Sequence, residues 1–203
     1  MKLSPKYLNM NSNIYDIYFK IGMEDGWYKG NKEENYEIML KVAKYAKSTF
    51  YLSTCLDVGC GTGDLAKHLF KLKIAKYTGI DIYLPSLLKA INKYPKANFF
   101  FTDIFSGEIK EEFDYVFCSG ALTMKIEDNY LFIEEMIKTM WKLTKKGLVF
   151  NFLTSEDNSG HDPDLFCYDP QKVEQICKRI DEKAVLVSEK TPNKAQVHIF
   201  MLR

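Results

Sequence analysis

Hydrophobic residues in this chain fall into short runs that alternate with segments of helical periodicity. Seven runs have the length of a strand: 54–58, 77–82, 97–101, 115–119, 148–153, 184–190 and 196–202. Continuous apolar runs of this length, bounded by turn residues, are typical of buried strands in a parallel sheet. The last two runs are joined by Thr191-Pro192-Asn193-Lys194, which predicts a hairpin that adds one antiparallel strand.

Helical segments separate most of these runs. The longest predicted helix, 129–145, carries Met136 and Met140 on its apolar face and is followed by Gly147, a usual stop signal. Asn31 and Glu34 have the spacing of a capping box, which predicts a further helix from there to about residue 48. Strands that alternate with helices predict an α/β, doubly wound, mostly parallel seven-stranded sheet with an antiparallel C-terminal strand.

Length, composition and charge narrow the function classes. The 203 residues predict a single domain over 1–203. Lys plus Arg number 28 and Asp plus Glu 27, a balance that disfavours a dedicated nucleic-acid binder. The five cysteines lack Cys-x-x-Cys spacing, which is typical of reduced thiols in a cytoplasmic protein. No apolar run approaches the ~20 residues of a membrane helix, so we expect a cytoplasmic chain without a membrane partner.

The clearest chemical signal is the sequence Asp57-Val58-Gly59-Cys60-Gly61-Thr62-Gly63-Asp64, which joins the first predicted strand to a helix. Glycine lets the backbone turn tightly and approach a ligand without a Cβ in the way. The free N–H groups at a helix start favour a carboxylate or phosphate. This glycine turn therefore predicts a ligand site at the carboxyl edge of the sheet, where doubly wound folds bind their ligands.

Two later acids extend the predicted site. Asp81 ends the second predicted strand, about twenty residues after the glycines, where nucleoside-binding sheets hold a ribose diol. Asp103 follows the third strand at the same edge, where a carboxylate accepts a hydrogen bond from an adenine amino group. Three such features at three successive strand ends predict a site for a nucleoside-containing cofactor.

These residues resemble the class I S-adenosylmethionine-dependent methyltransferases, whose first motif is an acid followed by Gly-x-Gly-x-Gly. Asp57 and the three glycines match that motif position by position, and the resemblance spans roughly residues 35–203. It implies a Rossmann-like methyltransferase fold, S-adenosyl-L-methionine as cofactor and methyltransferase activity. The cofactor-binding residues that it implies are Asp57, Gly59, Gly61, Gly63, Asp81, Ile82, Asp103, Ile104 and Ser119.

The resemblance also implies a role for each residue. The glycine turn would hold the methionine part, Asp81 the ribose hydroxyls, and Ile82 would pack on the adenine. Asp103 and the backbone of Ile104 would bind the adenine edge. Ser119 would lie beside the sulfonium and the acceptor.

Other readings of the glycine turn fit less well. A nicotinamide dehydrogenase needs Gly-x-Gly-x-x-Gly, and here the last position is Asp64, whose charge would repel a pyrophosphate. Amino-directed nucleic-acid methyltransferases carry Asn/Asp-Pro-Pro-aromatic where this chain has Ser119-Gly120-Ala121-Leu122. We therefore expect methyl transfer to an oxygen or nitrogen of a small molecule, including a glycan or natural-product precursor. The alternatives are an RNA methyltransferase and a non-catalytic cofactor-binding partner subunit.

Two segments outside the motif are candidates for substrate binding. The polar segment 151–169 follows the fifth predicted strand, and long loops at this edge are usually functional. It contains His161, whose ordinary pKa near ~6.5 suits a general base. The aromatic-rich segment 1–30 is predicted to be an arm that closes over the cofactor or packs on the domain. Ser119 and Asn151 do not match the carboxylates of metal-dependent members, so no metal is expected.

Overall fold

The computed structural model describes residues 32–154, 163–192 and 195–203. The predicted arm 1–30 and the candidate base His161 lie outside these residues. No described helix is long and apolar enough to cross a membrane.

One seven-stranded sheet organises the described chain. Its strands in chain order are β1 (Thr54–Val58), β2 (Lys76–Asp81), β3 (Asn98–Phe101), β4 (Phe113–Cys118), β5 (Thr144–Leu153), β6 (Val185–Lys190) and β7 (Gln196–Leu202). The spatial order is β3-β2-β1-β4-β5-β7-β6. The first five strands are parallel, and β7 is antiparallel to both of its neighbours. The predicted fold class is confirmed.

Helices cover both faces of the sheet. They are α1 (Lys32–Met39), α2 (Val42–Tyr45), α3 (Asp64–Lys71), α4 (Leu84–Lys93), α5 (Asn129–Lys142) and α6 (Pro170–Ile180). One buried cluster joins α5 and α6 to the sheet, and a second joins α1, α2 and α3 to the opposite face. The strands β1, β2, β4, β5 and β7 are thus buried from both sides, as parallel sheets require, whereas the edge strands β3 and β6 are largely exposed.

The single helix predicted to run to about residue 48 is interrupted in the structure. Lys41 N donates to Ile38 O at 3.0 Å, an i to i−3 bond that ends the regular helix and lets α2 start at Val42. A Cβ on Gly147 of β5 would lie 2.7 Å from Val42 Cγ2. The break therefore seats Val42 tightly against the backbone of β5, and this tertiary contact outweighs the local helical pattern.

Candidate functional site

The glycine turn between β1 and α3 has a backbone shape that favours glycine. Gly59, Gly61 and Gly63 have φ of +71°, +52° and +75°, in the left-handed region that other residues enter at a cost. The N–H groups of Gly59 and Cys60 both donate to Ile80 O, at 2.9 and 3.1 Å. These bonds fasten the turn to the end of β2.

The turn is packed at its two ends and open in the middle. A Cβ on Gly59 would lie 2.6 Å from Ala121 Cβ, and one on Gly63 would lie 3.1 Å from Phe99 Cζ. A Cβ on Gly61 would have no atom of the described residues within 4 Å. The first and third glycines are thus needed for packing, whereas Gly61 borders free space that a ligand can enter.

Asp81, at the end of β2, joins the turn to the next connection. Its Oδ2 accepts a hydrogen bond from Gly61 N at 2.7 Å, and its Oδ1 accepts one from Tyr83 N at 2.8 Å. The residue is 8% exposed; burial raises the pKa of its carboxyl, although the backbone N–H groups oppose this. Each carboxylate oxygen retains a lone pair for a ligand hydroxyl.

Asp57 lies behind the turn, inside the sheet. Tyr77 Oη donates to its Oδ2 at 2.6 Å, and the residue is 3% exposed. Burial raises the pKa of Asp57 to about 7; the Tyr77 hydrogen bond opposes this, and the charges of Asp81 and Asp64 add to the rise. The carboxyls around the turn thus repel one another, so the site favours a cationic ligand over an anionic one.

Asp64 begins α3 and marks the exit of the turn. It accepts a hydrogen bond from Thr62 Oγ1 at 3.0 Å and pairs with Lys93. Although burial opposes it, these contacts hold the pKa of Asp64 below its usual value. Lys32 Nζ lies 3.7 Å from Asp64 Oδ2, so the first described residue of the chain lies beside the turn.

The predicted adenine-binding residues lie near Asp81. Thr102 N donates to Asp81 O at 3.2 Å, which brings the segment after β3 next to the end of β2. Asp103 is half-buried, and its Oδ1 accepts a 2.6 Å hydrogen bond from the amide two residues ahead. Ile104 is buried and Ile82 is half-buried. The structure thus gathers these predicted residues at one part of the carboxyl edge.

A buried amide pair supports the backbone after β4, and the sequence analysis missed it. Ser119 is half-buried there, and Gly120 N donates to Asn151 Oδ1 at 2.8 Å. Asn151 Nδ2 in turn donates to Gln196 Oε1 at 2.8 Å, and both amides are buried. A lone amide within the apolar run 148–153 is the signal that would have identified this support.

The described part of the predicted substrate loop packs against the segment that follows β4. Phe166 N donates to Thr123 O at 2.8 Å, and Tyr168 Oη donates to Leu122 O at 3.0 Å. Residues 163–169 therefore form a wall at the carboxyl edge rather than a free loop.

His161 lies within 155–162, outside the described residues, so its place relative to the turn stays a prediction. Among residues 32–154, 163–192 and 195–203, no group of three His, Cys, Asp or Glu side chains is arranged to hold a metal ion.

Comparison with known proteins gives matches in sequence and in structure. A family model described as a methyltransferase domain matches residues 55–147. Over 44 residues the chain is 48% identical to a tRNA (guanine-N(7)-)-methyltransferase from Rubrobacter xylanophilus. That match covers 21% of this chain and only 20% of the curated relative.

Two solved structures match nearly the whole chain. Magnesium protoporphyrin IX methyltransferase from Synechocystis PCC 6803, with bound S-adenosylhomocysteine, is 13% identical with a TM-score of 0.72, over 97% of this chain and 99% of that one. An S-adenosylmethionine-dependent methyltransferase from Clostridium acetobutylicum is 16% identical with a TM-score of 0.65, over 95% and 98%. Residues 55–147 thus match a methyltransferase domain, and the fold of the chain is similar to that of S-adenosylmethionine-dependent methyltransferases.

Proposed function

We propose that this protein transfers a methyl group from S-adenosyl-L-methionine to an oxygen or nitrogen of a small-molecule acceptor. The open centre of the glycine turn at Gly61, held by the Asp81 carboxylate, is the observation that carries this proposal. The mutually repelling carboxyls of Asp57, Asp64 and Asp81 suit a cofactor with a positively charged sulfur and amino group. They would oppose a dinucleotide pyrophosphate.

In this proposal each part of the carboxyl edge binds one part of the cofactor. The glycine turn contacts the methionine part, and Asp81 accepts hydrogen bonds from the ribose hydroxyls through its remaining lone pairs. The side chain of Ile82 packs on the adenine, and Asp103 with the backbone of Ile104 binds the adenine edge. Ser119 lies on the side where the acceptor enters.

The reaction depends on positioning the cofactor and the acceptor, and it requires no nucleophile from the protein. When bound, S-adenosylmethionine supplies a methyl group on a cationic sulfur, ready for in-line attack by the acceptor atom. The chain holds the two reactants in line and excludes water. A hydroxyl acceptor also loses a proton, and we assign His161 as the base that takes it.

Two segments that lie wholly or partly outside the described residues complete the proposed site within one domain, 1–203. Segment 1–30 is the arm that closes over the cofactor, supported by Lys32 lying beside Asp64 at the exit of the turn. Segment 151–169 borders the acceptor, supported by the packing of its described part against Thr123.

A small acceptor is favoured over a polymer. The formal net charge of +1 gives little general attraction for a phosphate backbone. Residues 163–169 also narrow the carboxyl edge through their contacts with the segment after β4. The magnesium protoporphyrin IX methyltransferase with a similar fold is named for a small-molecule acceptor.

RNA methyl transfer is the second candidate, because the 44-residue match is to a tRNA methyltransferase. RNA binding by a methylating enzyme should weaken steeply with salt. A non-catalytic partner subunit is the third reading, and it predicts cofactor binding without turnover.

The test combines binding with turnover. Calorimetry should show S-adenosylhomocysteine binding more tightly than NAD, and the protein should form S-adenosylhomocysteine when given S-adenosylmethionine and a pool of small metabolites. Equal or tighter binding of NAD would overturn the cofactor assignment. Turnover with RNA and none with metabolites would replace the proposed acceptor class.

A further inference from the structure

Three exposed apolar side chains lie at the end of the molecule opposite the glycine turn. Tyr51 and Leu52, just before β1, are 64% and 63% exposed, and Leu72 after α3 is 39% exposed. Leu52 N donates to Lys73 O at 3.1 Å, so the segments before β1 and before β2 lie side by side. The three apolar residues thus belong to one surface at the amino ends of the central strands.

Three lysines belong to the same two segments. Lys47 lies four residues before Tyr51, and Lys71 and Lys73 flank Leu72. All three are exposed, and they form no ion pair with any residue that the structure describes. Lys76, at the start of β2, is instead paired with Glu111. The surface therefore carries three lysines that have no ion-pair partner among the described residues.

The backbone adds an independent observation. Lys47, Leu52 and Lys73 have φ of +49°, +54° and +55°, and within the described residues no other non-glycine has a positive φ. Glycine adopts this conformation without strain and is the usual choice after a helix end. The chain instead has charged or apolar side chains at all three positions. Strained positions that cluster on one surface indicate a role beyond folding.

We propose that this basal surface, made of Lys47, Tyr51, Leu52, Lys71, Leu72 and Lys73, binds an anionic lipid membrane. Apolar side chains bounded by lysines match a bilayer surface, where the apolar groups enter the headgroup region and the amines contact anionic headgroups. Of these six residues only Tyr51 has an aromatic ring on which a nucleic-acid base could stack, whereas the tyrosine, leucine and lysine side chains all suit a bilayer interface. The surface thus fits lipid better than RNA. Such binding lies on the bilayer and needs no spanning helix.

The position of the surface leaves the cofactor site accessible. The five residues of β1 separate it from the glycine turn by roughly 17 Å at about 3.3 Å per residue. Docking by the amino ends of the strands therefore leaves the carboxyl edge facing the solution. Cofactor binding and membrane binding should vary independently, so the failure of one proposal leaves the other standing.

The left-handed positions allow variants that preserve the fold. Lys47→Gly with Lys73→Gly removes two charges, and Leu52→Gly removes the apolar tip, each at a φ that suits glycine. Leu88→Asn on the outer face of α4, where Leu88 is 51% exposed, is the matched control for loss of an exposed apolar side chain. All variants should bind S-adenosylhomocysteine as the parent protein does.

The experiment is co-sedimentation of the full chain with phosphatidylcholine vesicles, with and without phosphatidylglycerol. The parent protein should bind only the anionic vesicles. The double lysine variant should bind roughly thirtyfold more weakly, since each lysine near an anionic surface gives about fivefold. Leu52→Gly should lose about tenfold, and Leu88→Asn should bind normally.

Three results would overturn the membrane proposal. The first is no binding of the parent protein to anionic vesicles, or equal binding to neutral ones. The second is unchanged binding by both glycine variants. The third is RNA binding that the glycine variants lose while vesicle binding is unaffected, which would make this a nucleic-acid surface.

Discussion

Asp81 Oδ2 accepts a hydrogen bond from the backbone N–H of Gly61 at 2.7 Å, across twenty residues of sequence. The acid at the end of β2 and the open centre of the glycine turn therefore form one structural unit. Such preorganisation reduces the ordering cost of binding. It also means that a substitution at either residue disturbs the other.

Asp81→Ala should weaken S-adenosylhomocysteine binding by about ten- to a hundredfold. The variant loses hydrogen bonds to a charged group, each worth roughly 1.5–3 kcal/mol, and releases the turn. Calorimetry measures the change, with circular dichroism to confirm folding. An unchanged dissociation constant in a folded variant would remove Asp81 from the site.

Gly61→Ala and Gly63→Ala should separate ligand binding from folding. Alanine costs about 1–2 kcal/mol at either left-handed position. At Gly63 its Cβ also meets Phe99 Cζ at 3.1 Å, whereas at Gly61 it meets no described residue within 4 Å. Gly61→Ala should therefore lose more cofactor affinity than stability, and Gly63→Ala more stability, in calorimetry and urea unfolding. If both variants lose cofactor affinity in the same proportion to their loss of stability, Gly61 does not border the ligand.

Asp57 should make the free energy of unfolding fall as pH rises. Its pKa is raised to about 7 in the folded chain, against about 4 when unfolded, so the folded state holds an extra proton between these values. The difference in free energy of unfolding between Asp57→Asn and the parent protein should therefore change with pH. From pH 5 to pH 8 it should shift in favour of Asp57→Asn by about 3 kcal/mol, because each pH unit below the folded pKa contributes roughly 1.4 kcal/mol. Urea unfolding of both proteins at each pH measures it.

His198 makes the free energy of unfolding rise with pH instead, so its contribution must be separated from that of Asp57. Burial lowers its pKa to about 4, so it contributes stability above pH 6.5 that is lost as the pH falls towards 4. Because the parent protein and Asp57→Asn both keep His198, the difference between them cancels its effect. A difference that does not vary with pH would show that Asp57 titrates normally.

Asn151→Ala should destabilise the fold by about 2–4 kcal/mol. It leaves the Gly120 N–H and the Gln196 amide oxygen without their partner, and each unpaired buried group costs about 1–3 kcal/mol. Thermal unfolding provides the measurement. Thr139→Ala, which removes a hydroxyl bonded within α5, is a control that should cost much less.

His161→Ala should lower turnover and leave S-adenosylhomocysteine affinity nearly unchanged. If the imidazole is the base, the acidic limb of the pH–rate profile disappears with it. Full turnover with the parent's profile would show that His161 takes no part. The test requires the acceptor that the metabolite screen identifies.

Local residues determine the helix starts and the glycine turn. Pro170 in the first turn and Asp169 as the cap, which accepts from Gln171 N at 2.9 Å, set the beginning of α6 within a few residues of sequence. The left-handed turn is likewise determined by its own glycines. Features whose partners are neighbours in sequence can be predicted in this way.

Features that depend on distant partners were not predictable. In the sequence, Asn151 is a single polar residue within an apolar run. Its role is evident only in the structure, where Gly120 and Gln196 lie beside it. The break before Val42 is understandable only once Gly147 of β5 is its neighbour. The predicted hairpin was correct as a pair, but nothing in its residues indicated which strand would lie against β5.

The insertion of β7 between β5 and β6 has a consequence for the order of folding. Within the described sheet, β6 pairs only with β7, so it has no ladder to join until residues 196–202 are in place. Strands β1 to β5 can pair as the chain emerges, while β6 must wait for residues that are synthesised after it. Pairing between strands that are far apart in sequence slows folding. The sheet is therefore completed in one step, in which β6 and β7 join β5 together.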